Sequence, residues 1–277
     1  MMNTITVRKM DFEFSDDMDL VFIQHDPRLS FLFLGTWMLL PYLEPYLMRT
    51  IRKAMEQVDD AALLHDMQQF CAQEGQHYQQ HAKANEKVRD LMPVHLQLKL
   101  DEKLTEIRDE YKSFSEQKDL DWNLAYAEGF EAYTAAGARA QMSERVFDYM
   151  KDPIRDLMLW HIMEEMEHRT VAFDVFEALC GKYWYRLRVG LWAQKHFTSL
   201  GAELTQLMIE AFPDLIAQHQ NSKARYIREQ NFKRYRKATL KNLPGIYSPW
   251  YSPHKLSMPA MYEETRQAYT KRAISTS

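Results

Sequence analysis

Two short runs, Glu74-Gly-Gln-His77 and Glu165-Met-Glu-His168, constrain this chain more than anything else in it. Each is Glu-x-x-His. On a helix, residues three apart share a face, so each run sets a carboxylate beside an imidazole. Apolar residues do recur with helical period along most of the chain, and no stretch alternates as a strand would. Only 8 Gly and 10 Pro in 277 residues argue against a sandwich or barrel. A hydrophobic content of 46% supplies one sizeable core. The expected fold class is therefore all-α.

Punctuation residues divide the chain. A short apolar helix is expected over 29–39 and a second from Pro41 to about Val58, with Pro41 and Pro45 marking a start. Asp59 and Asp60 are good caps for a third, which should run to about Leu91 before Pro93. Residues 94–114 read as a charged crossover helix. The next helix should begin after Asp119 or Asp121 and end near Tyr149. Asp152-Pro153 opens another, which Gly181 stops at Cys180, and residues 183–212 supply one more. Residues 223–241 hold eight Lys or Arg against one acid, Glu229, which reads as a solvated helix face or as a site for an anionic partner. The proline-rich segment after it should wrap over the bundle. We expect one domain over 1–277, with a metal-binding core over 27–181, extra helices over 182–241 and a Pro/aromatic tail over 242–277.

One Glu-x-x-His is weak; two on separate long helices are stronger. Helical bundles that bind two metals combine two such helices with one Glu from each of two others, in a ferritin-like arrangement. Glu44 lies on a face with Leu40, Leu43, Leu47 and Met48, and a buried carboxylate needs a partner or a metal. Glu131 lies on a face with Ala127, Thr134, Ala135 and Ala138, small enough to leave room; Glu128 is its rival. Glu44 and Glu74 are equidistant from the turn at Asp59. Glu131 and Glu165 straddle Asp148, matching in height to about one turn, ~5 Å. Four carboxylates would balance two divalent ions. The candidate ligands are Glu44, Glu74, His77, Glu131, Glu165 and His168. His161, one turn before Glu165, is a candidate third histidine ligand and, with Thr134, a candidate catalytic residue. His81 is expected to hydrogen-bond to a ligand, while Glu164 and Arg169 either pair with ligands or face solvent.

Other features bound the function. A net charge of −4 gives no basic field for nucleic acid. Cys71 and Cys180 form no disulfide framework, which suggests the reducing cytoplasm. The opening MMNTITVRKMDFEF lacks the apolar core of a signal peptide. Residues 29–43 are short for a transmembrane span and end at Glu44, which leaves contact with a membrane surface open.

The runs PYLEPYLMRTIR, QEGQHYQQHAKANE, EAYTAA and WHIMEEMEHRTVAFDVF, with SPWYSPHK near the end, resemble a bacterial family labelled predicted metal-dependent hydrolases, over roughly residues 11–260. The resemblance implies the same six ligands. Leu43 stands where a Gly often precedes the first Glu of that family, and Ala132 where a His often follows the third. The order Glu, Glu-x-x-His, Glu, His-x-x-x-Glu-x-x-His is also similar to that of the di-iron p-aminobenzoate N-oxygenase. These likenesses lead to an expected di-iron enzyme that activates O2 to oxidise a small apolar or aromatic substrate. Phe31, Trp37, Tyr42, Phe130, Tyr133 and Trp160 are its expected surroundings. Two iron ions are the expected cofactor, with Mn or Zn as substitutes, and an electron-donor protein and a second copy of the chain are compatible partners. The competing readings are a hydrolase with metal-activated water and a non-catalytic iron or redox protein.

Overall fold

In the computed structural model, which describes residues 5–273, the chain is built from helices; the only strand-like pairing among these residues is an isolated bridge between Ile23 and Met150. In chain order the helices are α1 (Pro27–Trp37), α2 (Leu40–Met55), α3 (Ala61–Asp90), α4 (Val94–Gln117), α5 (Leu120–Ser143) and α6 (Ile154–His168). They continue with α7 (Val171–Leu179), α8 (Tyr183–Ala211), α9 (Pro213–Gln218), α10 (Ser222–Asn242) and α11 (Tyr262–Arg272). The first and last four residues, part of the opening run and of the expected tail, lie outside the described residues.

Side-chain caps set the starts. Asp60 accepts from the N–H groups of Ala62 and Leu63, and Asp119 from that of Trp122, which occupies donors the helix itself leaves unpaired. Asp26 does the same for α1 through Leu29, ahead of Pro27 in the first turn. α2 packs on α3 and α5 on α6, α2 meets α5 and α3 meets α6, α4 packs on α2 and α8, and α8 packs on α1 and α5. Residues 5–26 form a strap: buried Phe12 and Phe22 sit in the core, and the Phe12 N–H donates to the Gln80 side chain.

The structure corrects the expected elements in three places. Pro45 lies inside α2, not at its start; with no N–H it leaves the Pro41 carbonyl without its i+4 donor, a loss confined to the early part of the helix. The fifth helix ends at Ser143, where Arg145 takes a left-handed conformation (φ 51°) and a 3-10 turn, Val146–Tyr149, follows. The single helix expected up to Cys180 is two, α6 and α7. At the break the buried Arg169 guanidinium donates to the carbonyls of Met166 and Pro253, so that its contacts, not helix propensity, decide the chain path. The tail packs on the bundle. Ile246 packs on Ala132 and Ala136 of α5, and α11 then docks on α6, with Tyr269 and Arg272 both bonded to Asp156.

Close helix approach holds this frame. A Cβ on Gly129 of α5 would stand 2.2 Å from the Cα of Gly190 on α8, whereas one on Gly190 would meet Gly129 at 3.1 Å. Gly137 has nothing nearer than 3.8 Å. Gly129→Ala should therefore cost about 3 kcal/mol or more, because backbone must move. Gly190→Ala should cost less, and Gly137→Ala should be neutral or stabilising by up to about 1 kcal/mol through helix propensity. Denaturant melts of the three variants check this order.

Candidate metal centre

Every residue from Trp160 to His168 on α6 is buried, although five of the nine are Glu or His. The explanation lies on the facing helices. α2 brings Glu44, α3 brings Glu74, His77 and His81, and α5 brings Glu131 to the same region, all of them buried. Their donor atoms fall into three overlapping groups, each within 4.8 Å: Glu44, His77 and His161; Glu74, His77 and Glu165; and Glu74, Glu131 and His168. All six candidate ligands and His161 are thus brought together. Glu128, the rival of Glu131, points elsewhere and is ion-paired with Arg186 at 2.8 Å. Burial pushes its carboxyl up to about 7 even though the Arg186 charge opposes this.

Hydrogen bonding tests whether metal suits these residues. Both oxygens of Glu44 and of Glu131, Oε1 of Glu74, Oε2 of Glu165, Nδ1 of His77 and Nε2 of His168 are buried without a hydrogen-bond partner. His168 Nε2 stands 3.3, 3.4 and 3.5 Å from oxygens of Glu74, Glu131 and Glu165 and is aligned with none of them. A buried polar atom left unpaired costs on the order of 1–3 kcal/mol, and more when charged. Eight such atoms converging from six residues would not persist in a bundle core unless something else met them. A pair of divalent cations, hard or borderline, suits this oxygen and imidazole set.

The opposite ring nitrogens are occupied, and they lead to residues that sequence reasoning missed. His77 Nε2 donates to Glu164 at 3.1 Å. His168 Nδ1 donates to the Gln73 amide oxygen at 3.1 Å, and the Gln73 amide nitrogen donates to Glu167 at 2.9 Å. Arg8, fully buried in the N-terminal strap, joins both branches, donating to Glu164 at 2.9 Å and to Glu167 at 2.7 Å. One guanidinium thus fixes both imidazoles from behind. Glu164, left open by the sequence, pairs with His77 and Arg8; Arg169 neither faces solvent nor meets a ligand. The excess of acids in Glu164-Glu165-x-Glu167-His168 signalled that a buried cation was needed, but nothing in the sequence pointed to residue 8.

His81 Nε2 and His161 Nδ1 share a hydrogen bond of 2.8 Å, and His161 Nε2 lies 3.1 Å from Glu165. Burial and the neighbouring rings lower both imidazoles, so this pair is neutral. His161 and Glu165 form the polar end of a cavity of about 210 Å³ bounded by α1, α5, α6, α8 and α10. Trp37, Phe130, Tyr133, Phe197 and Tyr235 line it, as does Thr134, whose hydroxyl donates to the Glu131 carbonyl. Of the six expected aromatic residues, Trp37, Phe130 and Tyr133 are there. Phe31 instead stacks near Phe212, Trp160 packs between Phe12 and His77, and half-buried Tyr42 lies away from the cavity wall. Trp160 therefore still borders the site through the candidate ligand His77, whereas Phe31 and Tyr42 do not line the cavity.

Residues 6–256 match the model of a family described as predicted metal-dependent hydrolase. No curated protein and no solved structure matches the chain.

The electrostatics of the cluster give a pH dependence. Burial lowers the tendency of His77 to be charged, but its hydrogen bond to Glu164 and the nearby carboxylate of Glu74 outweigh this and hold it protonated up to about 10. Burial, and then the charge of Glu165, raises the Glu131 carboxyl; burial and Glu74 raise that of Glu44. A cation must displace these protons, so apparent metal affinity should climb with pH, by up to about tenfold per unit for each proton displaced. Titrations with Zn²⁺ at several pH values between about 6 and 8 should show this climb together with proton release into weak buffer. Affinity independent of pH would contradict the arrangement.

Proposed function

The chain belongs to the predicted metal-dependent hydrolase family, and we propose that it is a dinuclear metal enzyme whose working form holds two iron ions and uses O2 to oxidise a small apolar or aromatic substrate. The proposed ligands are Glu44, Glu74, His77, Glu131, Glu165 and His168, with His161 as a further ligand on the side of Glu44 and His77. Bound iron would supply O2 activation and the electron transfers of the reaction. The chain's own part is to hold, orient and exclude.

The cavity carries this reading. It ends at His161 and Glu165, its wall is largely aromatic and aliphatic, and no Lys or Arg lines it. A phosphoryl or carboxylate substrate would find no cationic side chain there, whereas an apolar ring or chain would fit and displace water. Neutral His161 can ligate, because its Nδ1 is tied to His81 and its Nε2 is directed towards Glu165. Thr134 stands at the same wall, its hydroxyl anchored on the carbonyl of Glu131, where rotation would offer the O–H to a substrate. Arg8 keeps Glu164 and Glu167 paired, and through them fixes the rings of His77 and His168. Cytoplasmic location and use of a separate electron-donor protein are part of the proposal.

Hydrolysis is the second reading, favoured by the family's description. Glu74 and His77 each belong to two of the donor groups, and two shared ions would also activate water. Redox chemistry separates the two. Reduced iron-loaded protein should consume O2, and zinc-loaded protein should be inactive on the substrate that supports turnover. His161→Ala should retain both irons yet change the rate or product of the O2 step. Full activity with zinc, and no O2 uptake with iron, would establish the hydrolase instead.

A further inference from the structure

Helix α10 turns outward a face that this reaction does not use. The helix carries eight Lys or Arg and one acid, Glu229, and every cation except Arg228 is exposed. Among the described residues, none of these cations lies within ion-pair distance of a carboxylate. Large apolar side chains share that face: Tyr226, Phe232 and Leu240 are 64%, 61% and 61% exposed. At about 100° per residue, these three fall with Arg225, Lys233, Arg236 and Lys237 inside an arc of roughly 140°. The opposite side buries Ala224 and Ala238, and the helix packs on α5. An ordinary surface helix turns its large apolar residues inward and its small polar ones outward. Here small residues face the bundle, and large apolar ones stand in water among cations.

Position adds a second observation. Tyr235, on the same helix, lines the cavity, and its ring lies 6.3 Å from that of Phe33 on α1. Phe232 stands one turn before Tyr235. Leu32, 37% exposed, belongs to the same stretch of cavity wall. The basic, apolar face therefore adjoins the place where the cavity approaches the surface.

We propose that α10 is an interfacial helix that seats the protein on an anionic phospholipid surface. Phe232, Tyr226 and Leu240 enter the headgroup region, while the cations meet lipid phosphates. Cations and apolar side chains interleaved on one face match such a surface. A polyanion such as nucleic acid or an acidic protein would satisfy the cations but leave Leu240 and Phe232 without gain. Among the described residues no helix is long and apolar enough to cross a membrane; the proposed contact is with its surface. That the bilayer also delivers the substrate rests on the reading of the cavity given above; the docking does not.

Cosedimentation of the iron-loaded protein with vesicles tests this. Binding is expected to phosphatidylcholine vesicles containing phosphatidylglycerol, to be absent with phosphatidylcholine alone, and to weaken with salt. The triple variant Lys233→Glu, Arg236→Glu, Lys237→Glu should lower partitioning by at least about tenfold. Phe232→Ser with Leu240→Ser should also weaken it at low salt, while unchanged melting temperatures show that both variants fold. Equal affinity for both vesicle types, binding untouched by the serine changes, or polyglutamate or DNA bound as tightly as the anionic vesicles would overturn the proposal. Vesicle binding requires no turnover. Its failure therefore leaves O2 consumption by the iron form standing, and loss of O2 consumption leaves vesicle binding standing.

Discussion

Eight ionisable side chains, four Glu and four His, meet in the middle of this bundle where apolar packing would be expected: Glu44, Glu74, His77, His81, Glu131, His161, Glu165 and His168. Charges removed from water must be neutralised, paired or bound to metal, and the rest of the architecture follows from that requirement. Among these side chains alone the compensation is partial. Burial disfavours the ionised form of Glu165, but the His168 and His161 imidazoles outweigh it and hold this carboxyl well below its usual range. His168 is raised in turn, its burial outweighed by Glu165 and Glu131. Glu44 and Glu131 are pushed the other way, towards the protonated acid. Protons then do part of the work of cations, and the unpaired oxygens and nitrogens remain aimed at one another's centre.

The outer layer is the second consequence. A histidine that binds metal through one nitrogen needs the other held, or its ring turns. Glu164 holds His77 and Gln73 holds His168, and the two branches meet on Arg8. The N-terminal strap, which has no regular structure, is therefore part of the centre and not a loose extension. Burying a guanidinium between two carboxylates is tolerable because each partner satisfies the other, whereas removing Arg8 would leave Glu164 with His77 alone and the buried Glu167 without its ion pair. On the opposite side the cluster opens towards the cavity through His161 and Glu165. One end of the site is thus fixed by ion pairs, and the other borders a cavity with a largely apolar wall.

Much of this was legible because helix geometry is regular. The i, i+3 spacing brought Glu74 with His77 and Glu165 with His168, whereas the sequence left Glu128 as a rival of Glu131 on the same small-residue face, and the structure pairs Glu128 with Arg186. What escaped the sequence were contacts without local periodicity. Arg8 reaches Glu167 across 159 positions, a distance that no pattern encodes. The break between α6 and α7 depends on the buried Arg169 reaching Pro253, and α11 is held on Asp156 through Tyr269 and Arg272. Aromatic residues were partly misplaced for the same reason. Helical period shows that Phe31 and Trp37 face inward, but not which neighbouring helix each will meet.

The central claim is that these carboxylates and imidazoles exist to hold two metal ions. The most direct measurement is metal content per chain in protein purified without oxygen and loaded with iron, combined with anomalous diffraction at the iron edge. The account predicts close to two irons per chain and two anomalous peaks within the ring formed by Glu44, Glu74, His77, Glu131, Glu165 and His168. A reproducible content of zero or one with no second site on titration, or iron bound away from this ring, would contradict it.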